Sequence, residues 1–266
     1  MRETKELIEQ RQTKELGGEK NREQGREQAV GEEKASRVLL IIPAYNEAES
    51  IVPVVEELKR AYPQYDYVVV TDGSTDGTDR ICRSHGFHTI ALPINLGLAG
   101  CFQTGMKYAF RAGYGAAVQF DGDGQHRPEY IAAMKQRLDE GYDIVLGSRL
   151  IGEKSQGMAP LRGLGSRLIQ LAIRCTTGVL VTDPTCGLRM YNRRMIQCFA
   201  QRINYAPEPD TISFLLKNGA RMAEVPVKVA ERTGGRSYLR PFNAAKYMLR
   251  MLTSILLIQN FRERAF

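Results

Sequence analysis

Between Arg37 and Gly147, short apolar runs alternate with helix-length amphipathic stretches, and this alternation limits the fold more than any other feature. Val38 to Ile42, Tyr67 to Val70, Thr89 to Leu92, Ala116 to Phe120 and Ile144 to Leu146 read as strands. Ala48 to Ala61, Thr75 to His85, Leu98 to Ala112 and Pro128 to Glu140 read as the helices between them. Near-continuous apolar strands joined by helices predict an α/β architecture with a mainly parallel sheet covered on both faces. Ligands of such sheets bind beyond the carboxyl ends of the strands. Four polar clusters fall there: Pro43 to Glu47, Thr71 to Ser74, Asn95 to Gly97 and Asp121 to Asp123. One crevice is expected to collect them all.

No G-x-G-x-x-G follows a strand and no G-x-x-x-x-G-K-[ST] occurs, so the usual glycine-rich phosphate cradles are missing. Phosphate must then be met by metal and arginine. Asp121-Gly122-Asp123, closing an apolar run, offers two hard oxygen ligands suited to Mg²⁺ or Mn²⁺ beside a diphosphate. Taken alone, the same tripeptide also reads as a plain turn.

With 43% hydrophobic and 25% charged residues, the 266-residue chain suits one large domain with a tail. The first 37 residues are mostly Glu, Gln, Lys, Arg, Gly and Thr and lack aromatics, so they read as a disordered or loosely helical extension. The five cysteines show no C-x-x-C spacing, which suggests neither a disulfide framework nor a zinc site and fits a reducing cytoplasm. The N-terminus is charged where a signal peptide needs an apolar core, and no apolar run reaches the roughly 18 residues of a membrane span.

After Gly147 the pattern turns irregular, with helices expected around Leu164 to Thr176 and Thr211 to Asn218 and a strand at Met222 to Val229. Ala244 to Gln259 places Tyr247, Met248, Met251, Leu252, Ile255 and Leu256 on one helical face, with Lys246, Arg250 and Thr253 off it. That face either docks on the domain or lies on a membrane surface. The formal charge is +7. Nucleic acid is not the partner expected of it, because the cations follow phosphate-handling motifs and lack interleaved aromatics.

Six ordered motifs carry a family resemblance: Ile41 to Glu47, Thr71 to Thr78, Asn95 to Gly97, Phe120 to Gln125, Gly147-Ser148-Arg149 and Asp183 to Arg189. In that order they resemble family 2 glycosyltransferases of the GT-A fold, most of all the dolichyl- and polyprenyl-phosphate sugar transferases. The resemblance implies a Rossmann-like, mainly parallel sheet flanked by helices, with a GT-A domain over 38–243 between the extension 1–37 and a basic amphipathic helix at 244–266.

By the same resemblance, Pro43, Ala44, Tyr45, Asn46, Glu47 and Gly97 line the nucleotide pocket, and Asp72 accepts from the base. Relatives carry two adjacent acids there, whereas Thr71 stands in place of the first. Asp121, Asp123 and Gln125 match the metal positions, and in an extended segment their alternation would aim all three to one side. His126, next in sequence, reads as structural. Arg149 and Arg162 match arginines that meet a lipid phosphate, and Arg232 one that meets the donor diphosphate, as a guanidinium fork suits phosphate oxygens. Arg189 joins the substrate-binding set. Some relatives have a lysine where this chain has Tyr238, and Arg236 is the expected substitute. Glu208 and Asp210 occupy the region of the family's catalytic acids, and equally suit the start of a helix.

The function implied is metal-dependent, inverting transfer of a hexose or N-acetylhexosamine from a UDP- or GDP-sugar to a polyprenyl phosphate, at the inner face of the cell membrane. Two alternatives stand beside it. One is transfer to a glycan hydroxyl, which needs a carboxylate base; the other is a non-catalytic nucleotide-sugar-binding scaffold.

Overall fold

The computed structural model describes residues 36–152, 160–228, 241–262 and 264–265, and within them the apolar runs become one sheet. β1 (Val38–Ala44), β2 (Asp66–Asp72), β3 (Thr89–Leu92) and β4 (Ala116–Gln119) are mutually parallel, in the order β3-β2-β1-β4. α1 (Ile51–Ala61), α2 (Thr78–Ser84) and α3 (Gly97–Arg111) connect them. β1 is central, and Leu39, Leu40, Ile41 and Ile42 are all fully buried. Leu39 and Ile41 join a cluster with Phe102 and Met106 of α3, while Leu40 and Ile42 join one with Ile51 and Val55 of α1. Burial on both faces is why this strand shows no polar alternation.

The second half contains α4 (Ile131–Asp139), β5 (Ile144–Ser148), α5 (Pro160–Thr177), β6 (Arg189–Asn192), α6 (Arg193–Gln201), α7 (Pro209–Lys217), β7 (Met222–Pro226) and α8 (Pro241–Leu256). A short 3-10 turn at Pro128–Tyr130 leads into α4, and another at Ile258–Phe261 follows α8. The seven-stranded order is β3-β2-β1-β4-β6-β5-β7. β6 runs antiparallel to both neighbours, with Arg189 opposite Gln119 and Leu146. Its first residue therefore sits at the carboxyl ends of β4 and β5, and the segment before it is delivered to the ligand end of the sheet.

Neither β6 nor α6 was expected from the apolar pattern. β6 is four residues long, begins with Arg189 and ends with Asn192, whose side chain caps α6 by accepting from Met195 N at 3.0 Å. A strand so short, bounded by polar ends, has no readable period.

α8 starts at Pro241 rather than Ala244 and packs on α5 and α7. Met251 and Ile255 are buried, and Tyr247, Met248 and Leu252 lie half-buried against the same core. Gly165 of α5 leaves room for Met248, whose Sδ would lie 3.0 Å from an added Cβ. The apolar face thus docks on the domain and is not open to a membrane; Leu256, expected on that face, is 45% exposed instead. Among the described residues no helix is long and apolar enough to cross a bilayer. The extension before Ser36 lies outside the described residues. Truncating Ile255 to Ala should destabilise the fold by about 2–5 kcal/mol, whereas Leu249→Ala on the outward face should stay within about 0.5 kcal/mol; urea unfolding of the two variants checks both.

Candidate active site

The loops at the carboxyl ends of β1 and β2 are stitched together by side chains. Three consecutive backbone N–H groups, those of Asn46, Glu47 and Ala48, donate to Ser74 Oγ (3.1 Å), Thr78 Oγ1 (3.0 Å) and Asp76 Oδ2 (3.0 Å). Asn46, at φ 55°, returns the bond by accepting from Thr75 N at 2.9 Å. Asp76 also accepts from Thr78, and although its partial burial opposes ionisation, these hydrogen bonds hold its pKa below the usual carboxylate value. Pro43 and Glu47 are half-buried, while Tyr45 and Asn46 are exposed at the rim. The side chain of Ala44 is buried in the core, and its carbonyl accepts from Ser74 Oγ.

Asp72, at the end of β2, was expected to accept from the base. It is 2% exposed, and its two oxygens accept from Leu96 N (2.7 Å) and Gly97 N (2.8 Å). The carboxylate expected to meet a base instead fixes the loop that opens α3. Thr71, in place of the other acid, is buried and donates to Asp79 Oδ1 at 3.3 Å. Gly73 completes this junction: with φ 64°, it lies so close to Ile94 and Asn95 that a Cβ would come within 2.9 Å of their backbone.

β4 ends at Gln119, and the next residues turn instead of staying extended, so alternation does not aim Asp121, Asp123 and Gln125 as expected. Within the turn Asp123, 6% exposed, accepts from Gln125 N at 3.0 Å. Asp121 stands beside His126, with Asp121 N donating to Nδ1 at 2.9 Å and Nε2 lying 3.4 Å from Oδ2. Because Nδ1 accepts, the ring proton of neutral His126 belongs on Nε2, facing the Asp121 carboxylate. An edge-on contact with Phe120 holds the ring. Gly187 lies over the pair, and a Cβ there would meet Asp121 Oδ2 at 3.0 Å and His126 at 3.2 Å.

At the end of β5, Arg149 is gripped by the fully buried Asp183: Nε donates to Oδ2 at 2.6 Å, Nη2 to Oδ1 at 2.8 Å, and Nη2 also to Thr185 Oγ1 at 2.9 Å. Glu224 of β7 fixes the loop carrying Asp183 by accepting from Asp183 N at 3.0 Å, Thr182 N at 2.9 Å and Thr182 Oγ1 at 2.9 Å. Burial alone would raise the Asp183 pKa, but the Arg149 guanidinium holds it below the ordinary value, and Asp183 raises that of Arg149 in turn. Neither Asp183 nor Glu224 was assigned a role from sequence. Asp183 lay inside a recognised motif, but Glu224 gave no signal in a strand of mixed pattern.

Arg189, expected in the substrate-binding set, opens β6. It is 2% exposed, and its guanidinium donates to the carbonyls of Cys186 (2.9 Å), Pro184 (2.9 Å) and Pro207, so it braces loops and does not reach for substrate. Asp210 and Glu208 stand at the start of α7 and face α8. Asp210 accepts from Ser254 Oγ at 2.7 Å, Arg262 Nη2 at 3.2 Å and Thr211 N at 2.9 Å. Both Glu208 oxygens accept from Arg250, at 2.6 and 2.8 Å. The side chain of Arg162, and all of Arg232 and Arg236, lie outside the described residues.

A family model described as Glycosyl transferase family 2 matches residues 39–199. The chain belongs to this family. Polyprenol monophosphomannose synthase of Mycolicibacterium smegmatis is 31% identical over 245 residues, covering 85% of this chain and 91% of its own. Undecaprenyl-phosphate mannosyltransferase of Micrococcus luteus is 31% identical, covering 76% and 86%. The structure of glucosyl-3-phosphoglycerate synthase from Mycobacterium tuberculosis with Mn²⁺, uridine diphosphate and phosphoglyceric acid superposes with a TM-score of 0.61 at 20% identity, covering 86% of this chain and 82% of that one. That likeness establishes the GT-A fold.

In this family 2 glycosyltransferase the donor set at the end of β4 fits a hard divalent cation: two acidic oxygen ligands and an amide on one turn, one carboxylate half-exposed. Among the described residues there is no group of three or more His, Cys, Asp or Glu that could hold a metal ion. The Arg149–Asp183 pair gives a pH prediction. The folded pKa of Asp183 is depressed, so its contribution is complete above the unfolded value of about 3.9 and is lost as pH falls through the folded value. Asp183→Asn should therefore cost on the order of 3 kcal/mol at about pH 7 and progressively less below about pH 4; denaturant unfolding across that range measures it.

Proposed function

We propose that this glycosyltransferase moves a sugar from a UDP- or GDP-sugar to a polyprenyl phosphate at the cytoplasmic face of a membrane, with inversion and with Mg²⁺ or Mn²⁺. The observation that carries the reading is the pairing of an oxygen donor set at the end of β4 with an arginine locked at the end of β5. The relatives named for polyprenyl and undecaprenyl phosphates support the acceptor. A UDP-N-acetylglucosamine–dolichyl-phosphate N-acetylglucosaminyltransferase from Methanococcus voltae, 30% identical over 72% of this chain, supports the same lipid class with a different sugar.

Asp121, Asp123 and Gln125 would hold the ion, which supplies charge neutralisation to the departing nucleoside diphosphate. Tyr45 and the stitched loops after β1 and β2 bound the donor, and their fixed backbone leaves little to reorganise during transfer. Arg149 keeps a set orientation because Asp183 holds its Nε and Nη2; among the described residues Nη1 makes no hydrogen bond and is available to an acceptor phosphate oxygen. Arg162, Arg232 and Arg236 complete the phosphate set by family position.

A lipid phosphate arrives anionic and needs no strong base, whereas a glycan hydroxyl does. Both carboxylates that were candidates for a base accept bonds on both oxygens, Glu208 from Arg250 and Asp210 from Ser254, Arg262 and Thr211. This favours the lipid phosphate.

The deciding assay is nucleoside diphosphate release across UDP- and GDP-sugars, with Mn²⁺, with and without undecaprenyl phosphate. Lipid-dependent release is expected; release that ignores the lipid removes the acceptor assignment. Asp123→Asn should lower turnover on the order of a hundredfold or more and weaken Mn²⁺ binding in calorimetry, with the melting temperature nearly unchanged. Asp210→Asn should lower the melting temperature more than kcat, and the opposite ranking would reinstate a hydroxyl acceptor.

A further inference from the structure

Twelve large apolar side chains among the described residues are exposed, and seven of them belong to α5, α8 and the turn after α8. Leu168 (44%) and Leu171 (58%) stand on α5, Leu249 (68%) and Leu256 (45%) on α8, and Phe261 in the final turn is 89% exposed. The two helices pack side by side, with Gly165 against Met248. Ile169, Ala172 and Ile173 of α5 and Met251, Ser254 and Ile255 of α8 face inward. The leucines therefore lie on the outer faces of one two-helix layer.

Charge on that layer has a single sign. Residues 160–177 and 241–262 contain no Asp or Glu at all, while Arg167, Arg174 and Lys246 are exposed there. A second copy of this chain, docking by the same patch, would set these cations against one another with no acid in either helix to answer them. A bilayer with anionic headgroups answers both features, the apolar residues and the surrounding cations.

We propose that the outward faces of α5, α8 and the terminal turn form a docking surface for an anionic bilayer. Leu256 apart, the surface is not the helical face suggested by the sequence pattern, which is turned to the core, but the one away from it. It rests on the reading that the acceptor is a lipid, and links that reading to the acid pair. The inner edge of α8 binds Asp210 through Ser254 and Glu208 through Arg250, so the helix that meets the lipid surface also braces the start of α7.

The test uses the full chain and vesicles of phosphatidylcholine, alone or mixed with an equal amount of phosphatidylglycerol, containing no polyprenyl phosphate. The protein should cosediment with the anionic vesicles. Leu249→Glu combined with Leu257→Glu and Phe261→Glu, and separately Leu168→Glu with Leu171→Glu, should each lower that partition about tenfold or more, with thermal unfolding unchanged because these side chains are exposed. Should one set unfold, the other reads the same layer. A wild-type protein that ignores anionic vesicles, variants that bind as well as wild type, or a sedimentation-detected dimer abolished by these changes would overturn the proposal. Nucleoside diphosphate release with polyprenyl phosphate supplied in detergent micelles separates the two readings: the variants should retain it, and its absence in the wild type counts against the acceptor alone.

Discussion

At the ligand end of this sheet, backbone N–H groups of one loop are satisfied by side-chain oxygens of another. Ser74, Thr78 and Asp76 accept from residues 46–48, Asp72 from residues 96 and 97, and Glu224 from residues 182 and 183. A parallel sheet leaves its connecting loops without ladder partners, and an unpaired amide in a partly buried crevice costs about 1–3 kcal/mol. Cross-loop acceptance removes that cost and makes the crevice rigid at once. Arg149, after β5, rests on this scaffold through Asp183, and Gly122, after β4, packs against Ile42 and the Pro43 carbonyl, so both strand ends are tied into it.

The same constraint explains why motif residues divide between ligand and scaffold. Asp72, Asp183 and Arg189 all lie in recognisable motifs, yet each is turned inward on protein groups. Asp121 and Asp123 lie in a turn where one carboxylate is half-exposed. A motif records that an acid is needed at a position; it does not record whether backbone or ligand supplies the hydrogen. Only the neighbouring loops decide, and these are distant in sequence.

Most of the fold was legible for a physical reason. β1, β2 and β4 carry buried residues on both faces, and their apolar runs announce it, with α1 to α3 filling the intervals and the half-buried β3 at the edge. The terminal helix was legible as amphipathic, and its docking followed once α5 and α7 offered a surface. What escaped was short and polar-ended: β6, with Arg189 at its start and an α6 cap at its end. The alternation argument at Asp121, Asp123 and Gln125 failed because β4 ends at Gln119 and the chain already turns at Gly122 and Asp123. Strand periodicity holds only where the ladder continues.

The placement of β6 also orders the making of the protein. β4 is complete once residue 119 exists and β5 once residue 148 does, but they do not pair with each other; residues 189–192 must lie between them. On a ribosome, therefore, the first four strands can assemble while the edge of β4 stays bare for some 70 further residues, a long-range closure that is slow in principle. A bare edge invites foreign strands. The vulnerable interval in the life of this enzyme lies in its synthesis, after the first four strands have formed and before the strand that completes the sheet has emerged.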